Sequence, residues 1–329
     1  MTGASGLGGW PGSEPLPAQQ VALGELTDVP EGVTGLPFLS RSAGRGPAGS
    51  VLGRALSLLV DLPSEIGTHG WALADRPGRD LARAQAAARE DLDALAIAAH
   101  GHTGPIVVPV LGPLSLGAEV WLARGDRGVS DPGALRELAA SLALGVAELV
   151  ADVVRVVPGS RPSVLLIEPR LSDVIGGRVP TFSGRDLLRS VAAPVCVEHV
   201  GTVVRAARAA GAEQVVLHLG SDAALAGLAS GAGADGFGLR PVGVAAWETV
   251  AGLVERGLRP WVQGSGLGAA DLAQTVSVPW GRVGLAPSGL ADVVLLAPDQ
   301  ADAPTPTEAR RALTSVVGAA RVLAERAAD

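Results

Sequence analysis

The chain contains no lysine and no tyrosine, and Cys196 is its only cysteine. Without lysine, no residue can form a Schiff base with a carbonyl substrate or with pyridoxal phosphate, and no phosphate loop can end in Gly-Lys-Ser/Thr. A single cysteine rules out an internal disulfide and any metal site built from several cysteines. Composition alone therefore excludes several classes of enzyme.

Aromatic residues make up only 3% of a chain that is 47% hydrophobic, so the core has to be built from Val, Leu and Ala. The net charge is -7, and the arginines are scattered along the chain. Since a nucleic-acid-binding surface needs clustered basic residues, we expect no nucleic-acid partner. The absence of a leader pattern and of an apolar run of about 18 residues predicts a cytoplasmic protein without a membrane partner.

At 329 residues the chain is longer than a typical barrel domain of about 250 residues. We predict a single domain, residues 1–329, with long loops. A short apolar strand over 7–10 precedes a Pro-, Gly- and Ser-rich stretch, residues 11–50, that is predicted to lack regular structure. Because loops beyond about 12 to 15 residues are usually functional or disordered, we interpret this stretch as a lid over a pocket or as a disordered segment.

From Asp80 onward, helical patterns alternate with short apolar runs. The helix after Asp131 has an N-cap and a proline in its first turn, and the last helix begins with a capping box formed by Thr305 and Glu308. The predicted strands are 106–111, 164–168, 215–219, 236–239, 260–263 and 282–285. This alternation is typical of a parallel sheet covered by helices on both faces.

A closed barrel and an open doubly wound sheet both satisfy this pattern. Two segments, Gly6-Leu7-Gly8 and Gly264-Ser265-Gly266, begin like dinucleotide-binding loops. Pro11 and Ala269 stand where the third glycine of each loop would be, which argues against a dinucleotide site.

Two polar residues stand at the predicted carboxyl ends of strands, where parallel α/β proteins carry their chemistry. His218 follows an apolar run and is interpreted as a hydrogen-bonding residue of a pocket, the alternative being a satisfied core histidine. Glu168 precedes Pro169 and is predicted to act as a general base or to contact a substrate amine. Its alternative role is an ion pair with a loop arginine.

Other candidates each have a simpler structural explanation. Trp10 and Trp261 are placed to stack on a planar ring such as a pterin, or to fill the core. Cys196 and His199 are spaced to chelate a metal from one helix face, or to pack inside the protein. The loop 170–194 is interpreted as an anion clamp, through Arg178 and Arg185, or as a solvated loop.

Four short segments, in order along the chain, resemble cobalamin-independent methionine synthase, in its C-terminal catalytic barrel. Leu7-Gly8-Gly9-Trp10-Pro11-Gly12 is similar to its Ile-Gly-Ser-Phe-Pro segment, and Leu166-Ile167-Glu168-Pro169 to its Ile-Asp-Glu-Pro strand end. Leu217-His218-Leu219-Gly220 is similar to its His-x-Cys strand end, and Ala286-Pro287-Ser288-Gly289-Leu290 to its Pro-x-Cys-Gly-Leu segment. The resemblance implies an α/β fold of the (β/α)8 TIM-barrel type, related to uroporphyrinogen decarboxylase-like barrels.

In the resembled family, a zinc ion held by one histidine, two cysteines and one glutamate activates homocysteine to accept a methyl group from methyltetrahydrofolate. Carried over, the histidine falls on His218, the cysteines fall on Gly220 and Ser288, and the glutamate falls near Arg240. Only His218 is able to bind metal, so we expect no tightly bound zinc and little methyl transfer.

The resemblance also implies site roles for individual residues. Glu168 and His218 are the predicted catalytic residues, and Gly9, Trp10, Arg240 and Ser288 are the predicted substrate-binding residues. We expect His218, Glu168, Arg240 and Ser288 to open on one cavity, with the segments 11–50 and 170–194 over its mouth.

Three functions follow from these residues. The first is methionine-synthase-like methyl transfer, with an amino-acid thiol and a folate as partners. The second is a binding or regulatory barrel that senses such molecules without converting them. The third is a metal-independent, decarboxylase-like lyase that uses Glu168, His218 and Arg240 on a carboxylated substrate. All three predict a small-molecule ligand.

Overall fold

The structure is a computed structural model that describes residues 1–264 and 268–329. Within these ranges, eight parallel strands form the main sheet. They are β1 (Thr2–Gly6), β2 (Val33–Gly35), β3 (Pro105–Leu111), β4 (Arg161–Ile167), β5 (Gln214–His218), β6 (Gly236–Leu239), β7 (Arg259–Gln263) and β8 (Val294–Ala297). Their order across the sheet is β2-β1-β8-β7-β6-β5-β4-β3. The predicted parallel α/β architecture is therefore confirmed.

The first and last strands of this order meet just beyond β2. The amide of Leu39 donates to the carbonyl of Val107 at 2.9 Å, and the amide of Val107 donates to the carbonyl of Pro37 at 2.7 Å. Phe38 and Val107 form a parallel bridge at this point. The sheet is thus strongly curled, as in a TIM-like barrel.

Helices surround the sheet. In the described ranges they are α1 (Pro15–Thr27), α2 (Val51–Ser57), α3 (Arg79–Ala98), α4 (Pro113–Glu119), α5 (Pro132–Val156), α6 (Leu171–Ile175), α7 (Ala193–Ala209), α8 (Gly227–Gly231), α9 (Val244–Val254), α10 (Ala269–Arg282) and α11 (Pro306–Ala328). Among the described residues, no helix is both long and apolar enough to span a bilayer. The ends predicted at Asp131 and Thr305 are confirmed, since both side chains accept hydrogen bonds from the first turn of their helices.

The prediction that residues 11–50 lack regular structure is wrong. This stretch contains α1, β2, the short strand Arg41–Ser42 and a 3-10 helix over Ala43–Gly49. Pro15 and Pro17 lie in the first turn of α1, where a missing amide removes no helical hydrogen bond. The Pro, Gly and Ser residues of this stretch therefore lie mostly at or near the ends of short helices and strands.

The prediction of a strand over 282–285 is also wrong. Arg282 ends α10, and the residues after it form a turn that leads into a 3-10 helix, Pro287–Asp292. The eighth strand is instead the fully buried run Val294–Ala297, which pairs with both β1 and β7. This part of the chain contains two apolar runs, 282–285 and Val294–Ala297, and only the second pairs with neighbouring strands.

A small antiparallel hairpin, Ser64–Gly67 with Gly70–Leu73, lies outside the main sheet. A second pair of short strands joins Gly9–Trp10 to Arg41–Ser42. The core is built mainly from Val, Leu and Ala, as composition predicts, with Trp261 and Trp280 as its largest fully buried side chains.

Candidate functional site

A cavity of about 910 Å³ opens at the carboxyl edge of the main sheet. Its lining includes the last residues of β3, β4, β5 and β7, namely Leu111, Ile167, His218 and Gln263, together with Arg240, which directly follows β6. Parallel strands bring their carboxyl ends to one edge, so residues distant in sequence share this cavity. His218 and Arg240 lie here as expected.

His218 is almost fully buried at 3% exposure, yet it lines the cavity. Its Nδ1 accepts a hydrogen bond from the amide of Gly220 at 3.4 Å. This contact favours the tautomer with the proton on Nε2, which has no hydrogen-bond partner among the described residues. Seven buried side-chain atoms of the described residues lack a partner, and Nε2 of His218 is the one among them that belongs to a residue lining this cavity.

Burial lowers the pKa of His218 to about 4. The Gln263 side chain opposes this shift as a nearby hydrogen-bonding group, although no contact with Nε2 among the described residues has hydrogen-bond geometry, and the positive charge of Arg240 adds to the shift. At neutral pH the imidazole is therefore uncharged. A neutral ring with a protonated Nε2 acts as a hydrogen-bond donor rather than as a strong base.

Arg240 is exposed at the cavity mouth. Its amide donates to the carbonyl of Gly220 at 2.7 Å, which joins the loops after β5 and β6. None of the ion pairs found in residues 1–264 and 268–329 includes Arg240. Its guanidinium is available to an anionic ligand.

Glu168 does not line the cavity, which contradicts its predicted contact with substrate. Its carboxylate turns into the first turn of α4, where Oε1 accepts from the amide of Leu114 at 2.9 Å. Oε2 accepts from the amide and the hydroxyl of Ser115, at 2.7 Å and 2.6 Å. Burial raises the pKa of Glu168 to about 7, although these hydrogen bonds favour the charged form. Glu168 is thus a buried helix cap beside the site, and the lyase hypothesis loses one of its residues.

A polar network links α4 to the loop after β4. The Ser115 hydroxyl, which lines the cavity, accepts from the amide of Arg170 at 3.0 Å. The Arg170 guanidinium pairs with Glu119 at 2.7 Å and with Asp173 at 2.9 Å. Arg170 and Glu119 line the cavity but already have charged partners.

Two further carboxylates face the cavity. Asp222, in the loop after β5, accepts from the hydroxyl of Ser172 at 2.5 Å. Asp299, just after β8, contacts Arg41 at 3.4 Å and accepts from the amide of Ala301 at 3.0 Å. The site therefore presents both acceptors and donors to a ligand.

Ser288 lies at the opposite end of the sheet, so its predicted substrate-binding role is wrong. It belongs to the 3-10 helix that precedes β8 rather than following it. The carbonyl of the nearby Leu290 accepts from the hydroxyl of Thr2, the first residue of β1. A short sequence similarity carries no information about which end of a strand it occupies.

Gly9 and Trp10 do not line the cavity either. They pair with Arg41–Ser42, and Trp10 is buried at 2% exposure. A side chain on Gly9 would overlap the carboxylate of Asp299, so glycine is needed here for packing. Their predicted substrate contacts are corrected to structural roles.

Three further candidates, Trp261, Cys196 and His199, are packed inside the protein, which was the alternative to a functional role. Trp261 is fully buried within β7 and does not face the cavity. Cys196 and His199 are buried on α7, and burial raises the pKa of the Cys196 thiol to about 12. Of the loop Gly264-Ser265-Gly266, Ser265 and Gly266 lie outside the described residues.

The loop 170–194 reaches the cavity only at its beginning, through Arg170 and Ser172. Arg178 pairs with Asp173 at 3.2 Å, and neither Arg178 nor Arg185 lines the cavity. The predicted anion clamp is therefore wrong for these two arginines. Of the segment 11–50, only Ser50 lines the cavity. Hence both segments cover the mouth only in part.

The residues around His218 do not fit a zinc ion. No group of three or more His, Cys, Asp or Glu side chains capable of holding a metal is found in residues 1–264 and 268–329. The charged residue that acts on the His218 ring is Arg240, which would repel a cation.

Gln263, Asp222, Asp299 and Ser115 were not identified as site residues from the sequence. The first three carry a recognisable signal, because each polar side chain ends or follows an apolar strand. Gln263 ends its strand as His218 does, and Asp222 lies in the loop that follows His218. Asp299 required the correct eighth strand, and Ser115 required the packing of α4.

No protein-family model matches the chain, and no curated protein matches it either. Among solved structures, the carboxyl transferase domain of Rhizobium etli pyruvate carboxylase with pyruvate is 12% identical to this chain. The alignment covers 67% of this chain and 41% of that chain, with a TM-score of 0.26. This chain thus spans less than half of that one, and similarity at this level supports neither a family nor a function.

Proposed function

We propose that the chain is a single-domain, closed (β/α)8 barrel that binds a small carboxylate-bearing molecule of the amino-acid class. One observation carries the proposal, namely that Nε2 of His218 has no hydrogen-bond partner in residues 1–264 and 268–329 and lies in a cavity beside Arg240, whose guanidinium forms no ion pair within the same ranges. We propose a binding or regulatory role as the primary function.

The donors at one side of the cavity are suited to an anionic group. His218 offers a neutral N–H, Gln263 an amide, and Arg240 a planar guanidinium able to contact both oxygens of a carboxylate. Hydrogen bonds between charged groups are roughly twice as strong as neutral ones, so Arg240 supplies most of the affinity and His218 the orientation.

The acceptors nearby are suited to an amine. Asp222 and Asp299 line the same cavity, and their hydrogen bonds leave lone pairs on each carboxylate. A ligand that carries both a carboxylate and an ammonium group would satisfy the two sets together. This charge pattern favours an amino acid over a simple anion.

Methyl transfer from a folate to an amino-acid thiol is our second candidate. The cavity, at about 910 Å³, lies near the top of the range of about 300 to 1,000 Å³ for small-molecule sites, which leaves room for two substrates. The reaction needs a thiolate, however, and His218, with a pKa of about 4, is a weak base for a thiol of pKa about 8.5. For this reason methyl transfer stands second. We also propose that the protein is cytoplasmic.

Isothermal titration of the purified protein with methionine, homocysteine and methyltetrahydrofolate tests the proposal. We expect at least one amino acid to bind and Arg240→Gln to weaken it about tenfold or more. The matched control is Arg185→Gln, an exposed arginine outside the cavity. Equal affinities in the two variants, or no binding by wild type, would contradict the proposal. Zinc that survives dialysis and is lost in His218→Ala would favour methyl transfer instead.

A further inference from the structure

The ends of the strands divide the floor of the cavity into two unlike halves. On one half, β5 and β7 end in His218 and Gln263, and Arg240 follows β6. On the other half, β3 and β4 end in Leu111 and Ile167, which are apolar. The cavity therefore has a polar side and an apolar side.

The order of strands makes each half continuous. β5, β6, β7 and β8 are neighbours in the sheet, and Asp299 extends the polar half beyond β8. β3 pairs with β4 at one end of the strand order. Leu7, which directly follows β1 near the other end of that order, also lines the cavity. α2, which packs on β3, adds Val51 and Leu52 to the apolar half.

This apolar surface is partly open to solvent. Ile167, Val51 and Leu52 are half-buried, and all three line the cavity. The polar groups above this half do not need a ligand, since Arg170 and Glu119 pair with each other at 2.7 Å. Apolar surface in a concave site gains stability when a ligand removes it from water.

We propose that the ligand carries an aliphatic chain that lies on Ile167, Leu52 and Val51 while its carboxylate binds Arg240 and His218. The inference rests on the carboxylate-binding function proposed above and specifies its substrate class. The ligand is an aliphatic carboxylic acid, such as an amino acid with a long apolar side chain, rather than a small polar one. The carboxylate of the ligand thus binds the polar half of the cavity floor, and its aliphatic chain binds the apolar half.

Titration with butanoate, hexanoate and octanoate tests this inference. We expect affinity to rise about fourfold for each added methylene, the value for burying one methylene from water. Ile167→Thr keeps the branched shape and places a hydroxyl in the wall, so it should reduce the gain per methylene. Leu187→Ser is the matched control, since Leu187 is 60% exposed and lies outside the cavity. If Ile167→Thr does not fold, Leu52→Ala provides a second test on α2.

The outcomes separate the two proposals. If the three acids bind with equal affinity and Arg240→Gln lowers the affinity for all of them, the proposal of carboxylate binding stands and the proposal of an aliphatic chain is overturned. The aliphatic chain is also overturned if Leu187→Ser lowers the chain-length gain as much as Ile167→Thr does. If none of the acids and none of the amino acids binds, both proposals are overturned. Rising affinity with chain length, reduced only by the cavity variants, supports the inference.

Discussion

The carboxylate of Glu168 accepts two hydrogen bonds from Ser115, one from its amide at 2.7 Å and one from its hydroxyl at 2.6 Å. The pair joins the end of β4 to the first turn of α4. A Cβ on Gly112 would overlap the carboxylate of Glu168, so the glycine before α4 allows the carboxylate to approach. Ser115 lines the cavity, whereas Glu168 does not, and the two hydrogen bonds from Glu168 hold Ser115 in place.

Because burial raises the pKa of Glu168 from 4.5 to about 7, Glu168 makes stability depend on pH. Its stabilising contribution is present below about pH 4.5 and is lost as the pH rises through about 7. The full change is about 3 kcal/mol at 1.36 kcal/mol per pKa unit. We expect wild type to lose stability over this interval relative to Glu168→Gln, as measured by urea unfolding. The exposed Glu248→Gln is the control, and parallel pH profiles for wild type and Glu168→Gln would refute the prediction.

His218 changes stability in the opposite direction. Because burial lowers its pKa from 6.5 to about 4, its contribution is present above about pH 6.5 and is lost as the pH falls through about 4. The total is again about 3 kcal/mol. Relative to His218→Asn, wild type should lose stability on acidification across this range, in the same urea measurements. His100→Gln, which changes an exposed histidine outside the cavity, is the matched control. A wild-type profile that runs parallel to that of His218→Asn would show that the ring is not buried in its neutral form.

Gly238 packs against the ring of His218. A Cβ at this position would lie 2.6 Å from Cδ2 of His218 and 3.0 Å from its Cα. We expect Gly238→Ala to destabilise the protein by about 1 to 3 kcal/mol, since the new Cβ would also crowd Cβ and Cα of His218, which cannot move away without shifting β5. Gly252→Ala is the control, because nothing lies near a Cβ there and alanine stabilises a helix interior by about 1 kcal/mol. Thermal unfolding measures both, and similar midpoints in the two variants would contradict this packing.

Asp91 and Arg54 form a buried ion pair at 2.7 Å, with side-chain exposures of 4% and 11%. Asp91→Asn leaves the Arg54 charge buried without its main partner, so we expect a loss of about 3 to 5 kcal/mol. The exposed pair of Asp152 and Arg155, at 2.6 Å, is the matched control. Asp152→Asn should change stability by about 1 kcal/mol or less. Chemical denaturation compares the two, and equal losses would show that burial is not the deciding factor.

The alternation of apolar strands and helices was readable from the sequence because it depends on local periodicity. The runs before His218 and Glu168 form strands, and the helices after Asp131 and Thr305 begin where their caps predict. Capping and strand burial act over a few residues, so they leave a local pattern. His218 was found for the same reason, since it stands where an apolar strand ends, whereas Arg240 was assigned by the family resemblance.

The direction of each side chain was decided by the tertiary structure. Glu168 was expected to face the cavity, but the amides of α4, more than 50 positions earlier in the chain, turn its carboxylate away. Ser288 was expected beside His218, but it precedes the eighth strand and lies at the other end of the sheet. The sequence by itself determined a parallel α/β protein with polar strand ends. Which of those polar groups share one cavity was decided by packing between distant segments, because hydrogen bonds and burial act between neighbours in space, whatever their distance along the chain.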